Sequence, residues 1–472
     1  MNSFRTESDL LGELQVPTSA YYGVQTQRAL NNFKISNHKL NHYPIFVKSL
    51  AIVKLAAVET NFSLGLIEEP LKDVIVAACS DLIAGKYIDD FPIDMIQGGA
   101  GTSVNMNANE VIANIALEKL GHKKGDYQYC SPNDHVNLSQ STNDAYPTAL
   151  KLALFQSSKK VTDALEKLFF SLDRKAKEFE HVIKMGRTQL QDAVPMTLGQ
   201  EFEAFAYTLK KEIPYLQEHS FQFLEVNMGA TAIGTGLNAP KGYAHLCTEK
   251  LATLMNEPVK LAENLVEATS DTSSFVAYAG ALKKTAIKLS KICNDLRLLS
   301  SGPRAGLYEI NLPAKQPGSS IMPGKVNPVI PEVVNQVCFR IIGNETTVSY
   351  AAEAGQLQLN VMEPIIALTL FDSIDILANA IDTLRVECIE DITANVSHLK
   401  NEVQNSIGIV TALNPIIGYK NSTKIAKQAL EENRSVYDLI LEHNILTKEQ
   451  LDEMSYEPIE LKPWDPLGML AR

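Results

Sequence analysis

The chain has 472 residues, 45% of them apolar and 21% charged, and 43 Lys and Arg stand against 55 Asp and Glu for a net charge of −12. That length sets a prior of about three domains, and the composition supports a large core while excluding a disordered or collagen-like chain. The acidic balance disfavours a general binder of nucleic acid or anionic membrane, so an anionic ligand has to be held by local geometry.

The six cysteines, Cys79, Cys130, Cys247, Cys293, Cys338 and Cys388, form no CxxC pair, and no His stands at metal-ligand spacing. They read as reduced thiols of a cytoplasmic protein. The stretch Met1 to Asp9 has no basic run followed by apolar residues, so no signal peptide is expected. Apolar runs such as Val74 to Cys79 and Ile365 to Leu368 fall short of the ~18 residues of a membrane helix.

Before Asn143 the chain is broken by Pro17, Gly23, Pro92, Gly98 to Gly101 and Pro132, which reads as a smaller N-terminal domain over residues 1–142. Within it, GGAGTSVNMN at 98–107 combines glycines for tight turns with Thr102 and Ser103 placed to cap a following helix. Its first-turn N–H groups would suit a carboxylate, although a capped loop without a ligand explains the same residues. SQSTNDAYP at 139–147 again puts polar donors at a helix start, with Pro147 expected in the first turn.

No proline interrupts Pro147 to Pro195, and there Val161, Leu165, Leu168, Leu172, Ala176 and Phe179 recur at steps of three and four. That is a helical stripe close to a heptad seam. GRTQLQDAVP at 186–195 reads as a short polar turn between helices, open between a capping and a binding role. Further proline-free stretches follow Pro258, Pro331 and Pro364, with Val334, Val337, Ile341 and Val348 repeating the pattern. A bundle of long helices over 143–397 is expected, its stripes buried either internally or against other subunits.

PGSSIMPGKVNP at 317–328 holds three prolines, two glycines, two serines and a lysine. It cannot be helix or central strand, and a mobile loop bearing serine and lysine suggests a catalytic lid. From His398 a small C-terminal domain over 398–472 is expected, with a capping box at Thr447 to Gln450 and an irregular tail at Pro458, Pro463 and Pro466.

GSSIMPGKVNP at 318–328 resembles the signature of the fumarase/aspartase superfamily. GTSVNMNANE, QSTNDAYPT, GRTQLQDAVPMTLGQEF, GATAIGTG and EAGQLQLNVMEP follow the family's order and spacing, and Pro17, Tyr21-Tyr22-Gly23 and Gln25-Thr26 fit its start. The resemblance therefore covers nearly the whole chain. SPNDHVN at 131–137 followed by Ser141-Thr142-Asn143-Asp144 is similar to the aspartase branch, where fumarases typically read Ser-Ser-Asn-Asp.

The resemblance implies an all-α, mainly helical three-domain fold with a central long-helix bundle. It also implies a homotetramer whose active sites each draw on three subunits. The implied activity is reversible deamination of L-aspartate to fumarate and ammonia through an aci-carboxylate, without an organic cofactor. Carried over by position, Ser319 is the base for the Cβ proton and Ser320 a loop donor. Thr102, Ser141 and Thr142 hold the β-carboxylate; Thr188, Lys325 and Asn327 hold the α-carboxylate; Asn143 lies near the leaving amino group. Gln189 departs from the His of fumarases and some aspartases, and an amide cannot donate a proton as imidazolium does. His135 reads as a structural hydrogen bonder.

A serine hydroxyl is a weak acid, and lowering its pKa by roughly five units takes about 7 kcal/mol at ~1.4 kcal/mol per unit. One oriented donor supplies about 3–4 kcal/mol, so Lys325 with two loop amides suffices. No metal cluster is assigned, and activation by a divalent cation is left open by the residues alone. Fumarate hydratase acting on L-malate is the alternative, and a catalytically silent structural protein is a third, opposed by the intact Ser319, Lys325, Asn327, Thr102 and Ser141. A small dicarboxylate is the expected partner, with neither nucleic acid nor membrane.

Overall fold

Long proline-free segments become long helices, and among the described residues strands occur only in pairs. The computed structural model describes residues 3–454, so the expected tail at Pro458, Pro463 and Pro466 lies outside the described residues. Helices that carry or pack beside the candidate site residues and the long stripes include α1 (Pro44–Ser63), α2 (Thr102–Lys119), α3 (Thr142–Glu178), α4 (Leu198–Lys210), α5 (Ser273–Leu299), α6 (Val329–Glu353), α7 (Glu363–Glu387) and α8 (Val396–Asn405). β1 (Phe4–Asp9) pairs antiparallel with β2 (Gly12–Pro17), and β3 (Ile183–Thr188) with β4 (Gln191–Thr197). β5 (Glu225–Val226) pairs parallel with β6 (Lys260–Leu261), and β7 (Ile310–Asn311) antiparallel with β8 (Thr393–Ala394). The fold is mainly helical.

Contacts group the chain into two units. Of the described residues, one holds 3–165, 211–287 and 336–380; the other holds 166–210, 288–335 and 381–454. Helices α3, α5, α6 and α7 each contribute residues to both.

The stripe on α3 is buried as its spacing requires: Val161, Leu165, Leu168 and Leu172 are fully enclosed, and Ala176 and Phe179 nearly so. On α6, Val334, Ile341 and Val348 are buried while Val337 is only half-buried. Cys338 takes the seam position instead, one step of four from Val334. Helix α7 contains an 18-residue window of mean hydropathy 1.6, long and apolar enough to cross a membrane, but 72% of that window is buried inside the protein. Counting apolar runs overlooks it because Thr369, Asp372, Ser373 and Asp375 interrupt them.

Two local expectations are corrected. Helix α3 begins at Thr142, so Pro147 lies inside it and not in its first turn. Proline has no N–H to give to the carbonyl four residues back. That carbonyl, of Asn143, accepts instead from Asn227 Nδ2 at 3.0 Å. The segment around Arg187 to Ala193 is a β-hairpin and not a short turn. Gln189 and Leu190 have φ of +54° and +62°, the left-handed pair that a two-residue hairpin turn needs. Strand alternation is hidden there because Ile183 to Gly186 are all buried in a row.

All six cysteines are buried and form no disulfide. In the C-terminal helices Ile409, Leu413, Ile425, Val436, Leu439 and Leu451 form one core cluster. The expected capping box is present: Gln450 N donates to Thr447 Oγ1 at 3.2 Å and Thr447 N to Gln450 Oε1 at 2.9 Å.

Glu363 opens α7 and Lys151 lies on α3, both buried. Burial pushes the Glu363 carboxyl up to about 8, with the charge of Lys151 pulling the other way, and burial pushes the Lys151 ammonium down. The folded chain thus keeps a proton on Glu363 that the unfolded chain has released, so stability falls as pH rises from 4.5 to about 8 and levels beyond. Glu363→Gln should remove this slope. Urea unfolding at pH 5 and pH 8.5 should show the variant gaining on the wild type by about 2–4 kcal/mol at the higher pH, and an unchanged gap would refute the assignment.

Candidate active site

The expected site residues fall into two sets, one in each unit. In the first, Gly99, Ala100 and Gly101 run through φ of +92°, +54° and +85° into α2. Gly101 is the N-cap, so Thr102 is the first helical residue and does not cap, and neither does Ser103. The left-handed approach turns the Thr102 hydroxyl back on the turn, where it donates to the Gly99 carbonyl at 2.7 Å. Thr102 is exposed. A Cβ on Gly101 would lie 2.4 Å from the ring of Tyr146, so this contact seats the start of α2 directly on α3.

The start of α3 is organised by Asp144. Its Oδ1 accepts from Ser141 N at 2.9 Å, and its Oδ2 from Gly229 N at 3.1 Å and Thr231 N at 3.0 Å. GATAIGTG at 229–236 is thereby brought onto the Ser141 to Asn143 turn. Burial pushes the Asp144 carboxyl up to about 6, against the amides, which favour its ionised form. Ser141 Oγ accepts from Asn143 N at 3.2 Å, and Asn143 Nδ2 donates to the Ala232 carbonyl at 2.7 Å. That bond fixes the amide so that Oδ1 is its acceptor end.

Sequence reasoning missed Lys54. It lies on α1, fully buried, and its Nζ donates to Asn105 Oδ1 at 2.6 Å, Gln140 Oε1 at 2.8 Å and Asn137 Oδ1 at 3.1 Å. Asn105 passes the contact on, its Nδ2 donating to Thr142 Oγ1 at 3.2 Å. Burial pushes the Lys54 amine down to about 7, with Asp144 opposing. A single charge inside Ala51-Ile52-Val53-Lys54-Leu55-Ala56-Ala57 was the available signal. His135 is a structural acceptor, taking Ser131 N at 2.9 Å on Nδ1.

The second set lies on the β3–β4 hairpin and the loop before α6. Thr188 and Gln189 are exposed at the hairpin tip. In the loop Ser319 Oγ accepts from Ile321 N at 3.2 Å and Met322 N at 3.1 Å. Gly318 N donates to the Lys325 carbonyl at 2.7 Å, and Asn327 Nδ2 donates to the Gly318 carbonyl at 2.7 Å. A Cβ on Gly318 would come within 2.5 Å of the Lys325 oxygen, so the ring closes only on glycine. Ser319, Lys325 and Asn327 thus share one closed loop, with Ser320 and Lys325 exposed. Two amides aimed at one hydroxyl oxygen favour its ionised form.

Residues 12–343 match the family model described as lyase, and residues 409–455 the one described as fumarase C C-terminus. An aspartate ammonia-lyase of Helicobacter pylori is 59% identical over 450 residues, covering 95% of this chain and 96% of that one. One of Escherichia coli is 57% identical over 454 residues, covering 96% and 95%. Among solved structures, a fumarate lyase:delta crystallin of Brucella melitensis bound to cobalt has a TM-score of 0.93 and 52% identity, covering 96% and 98% of the two chains. A class II fumarase of Schistosoma mansoni has a TM-score of 0.89 and 37% identity, covering 97% and 99%.

Gly101→Ala meets both a positive φ and the Tyr146 ring and should destabilise the protein by about 2–4 kcal/mol. Gly98→Ala, where a Cβ meets nothing within 4 Å, serves as the control and should change the unfolding midpoint little. Equal midpoints for the two would show that the Tyr146 contact does not set the start of α2.

Proposed function

This chain belongs to the fumarase/aspartase lyase family, and from that membership we infer that it reversibly deaminates L-aspartate to fumarate and ammonia. Identity of 57–59% to aspartate ammonia-lyases over nearly the full length is the observation that carries the reading. The family's small dicarboxylate substrates fit a site built from hydroxyls, amides and one lysine.

The chemistry demands stabilisation of charge that appears only in the transition state. Ser319 takes the Cβ proton, and the electron pair left behind moves into the β-carboxylate, which becomes a doubly charged aci-acid. Thr102, Ser141 and Thr142 hold that group, so their donors strengthen as its charge grows. Thr188, Lys325 and Asn327 hold the α-carboxylate, with Ser320 a further loop donor. The amides of Ile321 and Met322 on Ser319 Oγ support its role as base. With Lys325 they supply the two or three donors that about 7 kcal/mol of hydroxyl activation requires.

When the C–N bond breaks, ammonia leaves beside Asn143, whose fixed Oδ1 suits an ammonium donor. Gln189 offers hydrogen bonds but no transferable proton, a lesser handicap for ammonia than for hydroxide as leaving group. The assigned chemistry calls for no organic cofactor, and no metal is assigned to it.

The working form in this reading is a cytoplasmic homotetramer whose active sites each combine residues of three subunits. Domains at 1–142, 143–397 and 398–472 complete it. Phe339 and Tyr350 on α6, 62% and 73% exposed, support burial against another copy.

Fumarate absorbance should rise when L-aspartate is added to the purified protein and stay flat with L-malate. A rise with malate alone would make the protein a fumarate hydratase, and silence with both would favour the structural reading. Ser319→Ala should lower kcat by about 10²–10⁴ with inhibitor binding nearly kept; unchanged turnover would exclude Ser319 as base.

A further inference from the structure

Between the pairs Met185–Pro195 and Arg187–Asp192 the hairpin carries a bulge on β4, where Ala193 and Val194 lie opposite the single residue Gly186 of β3. In a regular strand Lys184 and Arg187, an odd number of residues apart, would face opposite sides. The bulge on the partner strand bends the ladder and raises its twist between the two residues. They meet at the same carboxylate. Lys184 Nζ lies 2.6 Å from Glu309 Oε2, and Arg187 Nη1 donates to Glu309 Oε1. A Cβ on Gly186 would sit 2.9 Å from the Val194 carbonyl, so the bulge depends on glycine.

The cluster is closed on its other sides. Glu201 of α4 takes Lys184 at 2.6 Å, and Glu402 of α8 lies 3.6 Å from Arg187 Nη2. The side chain of Glu309 is 0% exposed and that of Lys184 is 2% exposed. The backbone of Glu309 is also held at both ends: its N–H donates to the Leu299 carbonyl and its carbonyl accepts from Asn395 N, each at 2.9 Å. Glu309 stands at the entry to β7, on the segment that runs into the Ser319 loop, while Arg187 is the neighbour of Thr188.

Apolar side chains would anchor a hairpin as firmly as buried ions do, but without direction. A guanidinium on a fixed carboxylate sets an angle as well as a distance. We propose that Glu309, acting through Arg187, is the positioning residue for Thr188. It fixes the hairpin tip against the segment that carries Ser319, Lys325 and Asn327, so that the two halves of the α-carboxylate site are held in one frame. This rests on the reading of Thr188 as an α-carboxylate ligand.

Arg187→Lys keeps the charge and loses the planar fork. Steady-state kinetics with L-aspartate should show KM raised at least about tenfold and kcat within about threefold of wild type. In a Thr188→Ala background the same substitution should change KM by less than about twofold, because its effect passes through Thr188. An unchanged KM, or effects that multiply in the double variant, would overturn the proposal. Hydrogen exchange supplies a readout without turnover: Arg187→Lys should speed exchange of the Thr188 and Gln191 amides at least about tenfold while α4 is unchanged. Equal rates at the tip would also overturn it. Should Arg187→Lys not accumulate folded, Glu309→Gln is held to the same criteria, and if that too fails, tip amides exchanging at free-peptide rates in the wild type overturn the proposal while protected ones sustain it. A wild type that leaves L-aspartate untouched sinks the deaminase reading, while the exchange result still judges the role of Glu309.

Discussion

A carboxylate taken out of water must be surrounded by donors, and Glu110, Asp144 and Glu309 are groups of this kind that hold the segments next to the candidate site. Glu110 on α2, pushed up to about 7 by burial, accepts from Gly23 N, Gln25 N, Thr26 N and Thr26 Oγ1 at 2.7–3.1 Å. Asp144 gathers Ser141, Gly229 and Thr231. Glu309 gathers Lys184 and Arg187. The segments at Gly23 to Thr26, at Ser141 with 229–231, and at Lys184 to Arg187 are thereby each tied down by one buried acid. Removing one partner from such an arrangement leaves a buried group uncompensated, which is why these contacts constrain geometry more than they add stability.

The helical scaffold was legible because helix burial repeats along the chain. Val161 through Phe179 carries its whole message in local spacing, and Leu165 and Leu172 are inside for the reason the spacing implies. The β3–β4 hairpin was not legible. Ile183, Lys184, Met185 and Gly186 are consecutively buried, two of them around a bulge, so the alternation that marks a strand is absent. Pro147 misled in the other direction, since a helix interior tolerates it once Asn227 answers for the lost bond.

The polar clusters that form the candidate site were visible as clusters, since hydroxyls, amides and glycines concentrate where a helix begins. What they rest on was not. Lys54 beneath the Ser141 turn looked like one more residue of an apolar helix, and Glu309 like any acid in a loop. Their partners lie far along the chain, and no local pattern connects Lys54 with Gln140, or Arg187 with Glu309. Thr102 shows the same limit at short range: its type suits a cap, but three left-handed residues before it send its hydroxyl elsewhere.

The bond from Asp144 to Gly229 closes over 85 residues of chain. During synthesis at roughly 5–20 residues per second, those residues take about 4–17 seconds to emerge after Asp144 does. Throughout that interval the N-terminal end of α3 has its acid but not its clamp, and Asn143 has a carbonyl without its Asn227 donor. The nascent chain therefore passes through a stage in which α3 can grow but its first turn stays hydrated, and the turn that would present Ser141 to Asn143 is finished only when residues 227–232 arrive.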